Sequence, residues 1–298
     1  MVSFQLRDVY YTQPPRIGKK FGEKMGIFSR NFDRPGPGVR KDEPRKKGFA
    51  RFFELLTRDF GDLIKLNLLF CICIVPTVAA LIIGSIWINI GIAFIIAVLF
   101  AFPVGGALVA YIYYITKMMR DDPSYVWYEF KRKFLENYKQ AAPIGMLCTA
   151  FIYAQIWIWA SLWGALLAEQ PFTDHIWFLI AFLSIIIFFS IAPYLFMHVA
   201  YIKLKTRQII KNSVLMAFGY FPRSLMGALT GCSLWIVFVL FLPASIMFLP
   251  VVLLIVVSLS LLMSLMWVWP PFNKHFTVEE TLSKRQGEEE EESQQENV

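Results

Sequence analysis

Few residues of this chain have the type and spacing that chemistry requires. His198 is the one ionisable side chain within a long apolar run, about a turn from its end. A lone histidine there either bonds between helices or relays a proton, and a relay needs further titratable groups that the run does not supply. Cys71 and Cys73 are two residues apart, about 200° around a helix, so their thiols cannot share a metal ion. Cys148 and Cys232 also lie in apolar stretches, which gives no disulfide framework, and three scattered histidines make no zinc set. The chain carries no GxSxG, GxxxxGK[ST] or HExxH motif. Gly105-Gly106 has no phosphate-binding helix start after it and reads as a close helix contact. Asn67, Thr77 and Asn89 read as polar groups bonding between helices. The expectation is a protein without catalytic, cofactor-binding or metal-ligating residues and without a cofactor, and so not an enzyme.

The elements that hold these residues are apolar and long. Of 298 residues 57% are hydrophobic and 17% charged, with mean hydropathy +0.53, too apolar for a soluble enzyme domain. An aromatic content of 16% excludes disorder over most of the chain. Crossing about 30 Å of hydrocarbon takes roughly 20 residues. Six runs qualify: Leu66–Ile88, Gly91–Thr116, Ile144–Leu167, Ile176–Ile202, Leu225–Leu242 and Val251–Trp269. They pair into three hairpins through Asn89-Ile90, Ala168–His175 and Pro243–Pro250, although Pro243 and Pro250 also allow one re-entrant pair. Pro76 and Pro103 are expected to kink their spans. The expected fold class is all-α, a polytopic membrane protein of six transmembrane helices.

Orientation follows from the distribution of Lys and Arg. The segments Arg7–Lys65, Lys117–Lys139, Lys203–Arg223 and Lys274–Arg285 hold 15, 6, 5 and 3, which exhausts the 29 and leaves none for the hairpin turns. Both termini are therefore expected in the cytoplasm of a multi-pass plasma-membrane protein. The first thirty residues are polar and basic, which predicts no cleaved signal peptide. The net charge of +7 fits topology determinants beside anionic headgroups; no aromatic and basic interleaving suggests nucleic acid.

Each hairpin follows a segment with helical spacing. The first carries Phe49, Phe52, Phe53, Leu56 and Phe60 against Arg51, Glu54, Arg58 and Asp59. The second begins at Asp122-Pro123, a cap and a first-turn proline, and sets Trp127, Phe130, Phe134 and Tyr138 on one face, with Glu129, Arg132, Lys133 and Glu136 on the rest. The third, fainter, has Ile209, Ile210, Val214, Leu215 and Phe218. Amphipathic helices with large aromatics beside a bilayer lie in the interface or dock onto a partner. Pro103–Ile112 and Pro193–Ile202 share the pattern P-x5-V-A-Y-I at equivalent ends of the second and fourth spans. The expected plan is three copies of helix plus hairpin, the third diverged, enclosing a cleft or forming a solid bundle. Residues 1–47 are then a basic tail and linker, 48–275 the membrane domain and 276–298 an acidic flexible tail. The alternating Pro35-Gly36-Pro37-Gly38 ends any helix.

The Pro35–Gly38 linker, Phe52-Phe53-Glu54, Leu66-Asn67, Pro103–Leu108 and the Trp127–Phe130 segment together resemble the YesL-like family of bacterial integral membrane proteins, over residues 28–275. Members of that family are often encoded beside carbohydrate ABC importers and polysaccharide-degrading enzymes. The resemblance implies an accessory role in sugar uptake and importer subunits as partners beside the lipid bilayer, but supplies no site residues. Two other functions stay open: a passive channel or facilitator for a small neutral solute, and a membrane regulator or chaperone. Candidate interface residues are Phe52, Phe53, Phe60, Trp127, Phe130, Phe134 and Tyr138; candidate intramembrane polar residues are Asn67, Thr77 and His198.

Overall fold

The structure, a computed structural model, describes residues 46, 48–122, 124–167, 173–202, 204–240 and 252–284; the Pro35–Gly38 linker, the Pro243–Pro250 turn and the acidic run Glu288–Glu292 lie outside them. Apart from short turns between helices the described residues are helical, and they contain no strand. In chain order the helices are α1 (Phe49–Arg58), α2 (Phe60–Trp87), α3 (Ile90–Leu99), α4 (Phe102–Met119), α5 (Val126–Leu167), α6 (Thr173–Tyr201), α7 (Thr206–Gly219) and α8 (Phe221–Leu240). A π-helical turn, Val252–Val256, then leads into α9 (Val257–Phe276).

Among the described residues four helices are long and apolar enough to cross a membrane: α2, α5, α6 and the run Leu254–Phe276. The α3 and α4 pair makes a fifth if it is one span, bent by 52° at its break. That break replaces the single kinked span expected over Gly91–Thr116. Pro103 sits in the first turn of α4, where its missing N–H costs nothing, so the chain restarts a helix there instead of bending one. Pro76, by contrast, lies inside an unbroken 28-residue α2. Asn89 caps α3, its Oδ1 accepting from Gly91 N–H at 2.8 Å, so it closes the α2–α3 turn and does not bond between helices.

The second expected segment and third expected span are one helix. At 42 residues α5 is about 63 Å long, roughly twice the hydrocarbon thickness, so only part of it can lie within a bilayer. Residues 276–284, assigned by composition to a flexible tail, are instead helical over 278–284 and bury Phe276 and Val278 against the core. Glu279 anchors this segment, its N–H donating to Asn273 Oδ1 at 2.9 Å and its carboxylate accepting from Trp269 Nε1 at 3.3 Å.

α4 is the central helix: nearly every residue from Val104 to Met118 is buried. It packs most extensively on α5, and also on α2, α6 and α9. Two glycines make the α4–α5 contact possible. A Cβ on Gly105 would lie 2.0 Å from the Ala141 carbonyl oxygen, and one on Gly145 would lie 2.3 Å from Gly105 Cα. The two backbones touch, and any side chain there would push them apart.

Candidate functional site

The polar groups of the bundle gather where α1, the start of α5 and α7 meet the ends of α4, α6 and α9. Call this the charged end. Its geometry starts from the two tyrosines of the P-x5-V-A-Y-I repeat, Tyr111 and Tyr201, both buried with paired hydroxyls. Tyr111 donates to Asn67 Oδ1 at 3.0 Å and also meets Ser258 Oγ. Ser258 in turn donates its N–H to Asn67 Oδ1 and its hydroxyl to Leu63 O at 2.6 Å, so this knot ties α2, α4 and α9.

Tyr201 forms the second knot. Arg120 Nη1 donates to the Tyr201 hydroxyl at 2.9 Å, and Thr116 Oγ1 lies 2.5 Å away. A guanidinium has no acceptor, so the Tyr201 proton goes to Thr116. Arg120 also bonds Asp122 at 2.9 Å and stands over the rings of Tyr201 and Trp269, 5.6 Å from each centroid. Burial works against the Arg120 charge, but Tyr201 and Asp122 outweigh it and keep the guanidinium protonated. One side chain thereby joins α4, α6 and α9.

A third cluster holds α1. Arg51 Nη2 lies 2.7 Å from Asp121, and Arg58 Nη1 reaches the same carboxylate. Arg51 also bonds Glu54 and the Met119 carbonyl. Burial would raise the Asp121 carboxyl, but hydrogen bonds and charge from Arg51 and Arg58 hold it below the ordinary carboxylate range. Asp121 has φ of 64°, a left-handed backbone that Asp tolerates better than most residues and that aims its carboxylate back at α1.

On α5 the buried stripe is turned from the expected aromatic face by most of one residue's 100° step. Phe130 is buried, but Trp127 is 64% exposed. Glu129 and Lys133, expected on the solvent face, are buried instead. Glu129 bonds Lys117 at 2.8 Å and pairs with Arg132; Lys133 pairs with Glu136 at 2.9 Å and stands 4.6 Å from the Tyr113 ring centroid. These partners make burial of the charges tolerable and so draw the helix round. Phe134 and Tyr138 are half-buried: Phe134 lies on Gly106, and Tyr138 meets Phe102 edge to face. On α1, Phe52 and Leu55 are buried while Phe49 and Phe53 are exposed, as is Phe60 at the start of α2. The seven interface candidates therefore divide. Phe53, Phe60 and Trp127 are open surface, and Phe52 and Phe130 belong to the core.

The intramembrane polar candidates are all buried. Thr77 donates to Ala97 O at 2.6 Å and lies 2.9 Å from the Tyr153 hydroxyl, tying α2 to α3 and α5. His198 Nδ1 is 2.7 Å from the Tyr194 carbonyl and 3.1 Å from Ser213 Oγ on α7; the rings of Phe272 and Phe276 meet the imidazole edge to face. Its Nε2 has no hydrogen-bond partner among the described residues. Among the described residues no group of three or more His, Cys, Asp or Glu is placed to hold a metal ion. What this constellation can do is lock helices together. Sequence reasoning missed the burial of Arg51 and Arg120, which it took as topology markers, and the pairing of Asp121 with Arg51 and Arg58 and of Lys117 with Glu129; the repeated tyrosine was the available signal. Comparison with protein-family models, curated proteins and solved structures finds no match.

Proposed function

We infer that this protein is a non-enzymatic accessory membrane protein of carbohydrate uptake. It sits in a bacterial plasma membrane with six spans and both termini in the cytoplasm, and it acts beside an ABC importer. The carbohydrate context rests on the YesL-like resemblance alone. The accessory role rests on the filled centre: Tyr111, Tyr114, Tyr194 and Phe272 are fully buried there, where a conduit needs polar, hydrated walls. The face offered to an importer is the exposed aromatic surface of the charged end, Phe49 and Phe53 on α1 and Phe60 at the start of α2, with Tyr125, Trp127 and Tyr128 around the start of α5. Aromatic side chains exposed in this number suit either headgroup contact or a protein interface.

The test is affinity purification of the tagged protein in mild detergent from its native host. Importer membrane subunits should co-purify, and Phe53→Ser with Trp127→Ser should reduce their recovery without lowering the melting temperature. A tagged protein that purifies alone would contradict the assignment. For topology, cysteines introduced at Gln170 and Ser283 should label oppositely in whole cells with a membrane-impermeant thiol reagent, Gln170 accessible and Ser283 protected. The reverse pattern would invert the orientation.

A further inference from the structure

Cations at the charged end fall into two sets. Arg51, Arg58, Lys65, Lys117, Arg120, Arg132 and Lys133, on α1, α2, α4 and α5, form ion pairs, while Lys131 and Lys139 on α5 are exposed and form none among the described residues. Lys205, Arg207, Lys211, Arg223 and Lys274, on and beside α7, α8 and α9, are exposed and form none among the described residues. No Asp or Glu occurs between Lys205 and Leu240 to answer them.

Their placement makes the imbalance costly. Arg207 lies in the first turn of α7 and Arg223 in the first turn of α8, and neither turn holds an acidic residue. A cation at a helix N-terminus faces the positive end of the helix dipole, where an anion is favoured. Arg207 and Lys211 are four residues apart and share one face.

The chain carries an anion of matching size close by. Beyond the last described helical residue, Lys284, come Glu288–Glu292, five consecutive glutamates, and then Glu296. The chain leading to it leaves α9 beside α7, since the His198 ring touches both Ser213 of α7 and Phe276 at the end of α9, and residues 277–284 run from that point to the segment. From Lys284, four to eight extended residues span at most about 14 to 29 Å, and α7 is about 21 Å long. A short tether holds such a segment at millimolar effective concentration.

We propose that the Glu288–Glu292 run docks in cis on the basic face of α7 and α8, formed by Lys205, Arg207, Lys211 and Arg223 with Lys274 at its edge. The tail neutralises the two helix starts and occupies a surface that anionic headgroups or an acidic partner would otherwise take. Tail and competing anion exclude one another there, so the segment sets how strongly this face binds an anionic surface.

Zero-length carbodiimide coupling on the full-length protein in neutral detergent, followed by peptide mapping, tests this. Expected are intramolecular crosslinks from Glu288–Glu292 to Lys205, Lys211 or Lys274, falling several-fold in about 1 M salt, where the screening length is about 3 Å. Replacing the five glutamates by Gln should abolish the crosslinks and increase retention of the detergent-solubilised protein on immobilised phosphatidylglycerol. Arg207→Ser with Lys211→Ser, both exposed, should remove that gain. Crosslinks chiefly to Lys131 and Lys139, to the N-terminal lysines or between two chains would overturn the proposal, as would their absence or unchanged lipid retention in the Gln variant.

Discussion

Around α4 and the start of α5 the chain buries charge and pairs it; in the far half of α5 and α6 it does neither. At the charged end Arg120, Glu129 and Lys133 are buried, each with a counter-charge, and about 22 Å along α4 from Arg120 the α4 and α5 backbones meet at Gly105 and Gly145. In the far half, Trp157, Trp163, Trp177 and Ile180 are exposed, and a cleft of about 320 Å³ opens between the helices beside Ser161 and Ser184. Gln155 Oε1 and Trp159 Nε1 are buried there without partners among the described residues. The difference follows from the solvent. Hydrocarbon covers an apolar side chain as well as a neighbouring helix does, so tight packing between spans brings little. Outside the hydrocarbon the hydrophobic drive returns, and buried ions must find partners. Stability should therefore be concentrated at the charged end.

Substitutions in matched pairs can break that contrast. The largest effect is expected at the helix crossing. Gly145→Leu has backbone on both sides and no rotamer to relieve it, so the folded bundle should be lost, seen as aggregation in size-exclusion chromatography. Gly164→Leu, in the far half with nothing within 4 Å, should elute as the wild type does. Next, Phe130→Ala empties a core site and should cost about 3–5 kcal/mol, whereas Trp127→Ala should stay within about 0.5 kcal/mol. Both are read as melting temperature in detergent. Equal shifts would restore the aromatic face expected from sequence.

Arg120→Leu removes a charged hydrogen bond and two ring contacts and should cost about 2 kcal/mol by the same measurement. The smallest effect concerns Asp121. Its carboxyl is held below the unfolded value of about 3.9, so its contribution is full above that pH and is lost as pH falls through the lower folded value. Asp121→Asn should lower stability by about 1 kcal/mol or less at pH 7, and the gap from wild type should close below about pH 4. A gap that widened on acidification would place the favourable charge elsewhere.

Much of the helical plan is plain in the sequence. Unbroken apolar runs fix α6 and the end of α2 to within about three residues, while α2 starts at Phe60, earlier than the expected Leu66, and Asn89 marks the α2–α3 turn. The break before Phe102 is harder to see, because Pro103 reads equally as a kink or as a first-turn residue, and only the neighbours of α4 decide. The join of the Tyr125–Lys139 segment to the following span is hidden by Pro143, which α5 accommodates. The face of α5 is misread for a physical reason: periodicity assigns charges to water, and nothing local reveals that Lys117 and Tyr113 stand ready to receive Glu129 and Lys133. Of the candidate residues, Asn67 and Thr77 are legible because a polar side chain in an apolar run must find a partner. Arg51 and Asp121 are not, because their meeting depends on 70 residues of intervening fold.

The filled core is tested most directly by stopped-flow osmotic swelling of proteoliposomes in gradients of small neutral solutes, glycerol and ribose among them. Closely packed Tyr111, Tyr114 and Phe272 predict swelling at the rate of protein-free liposomes for every solute. Protein-dependent swelling that scales with the amount reconstituted, and that disappears when the protein is heat-denatured, would contradict a solid bundle and make this protein a conduit.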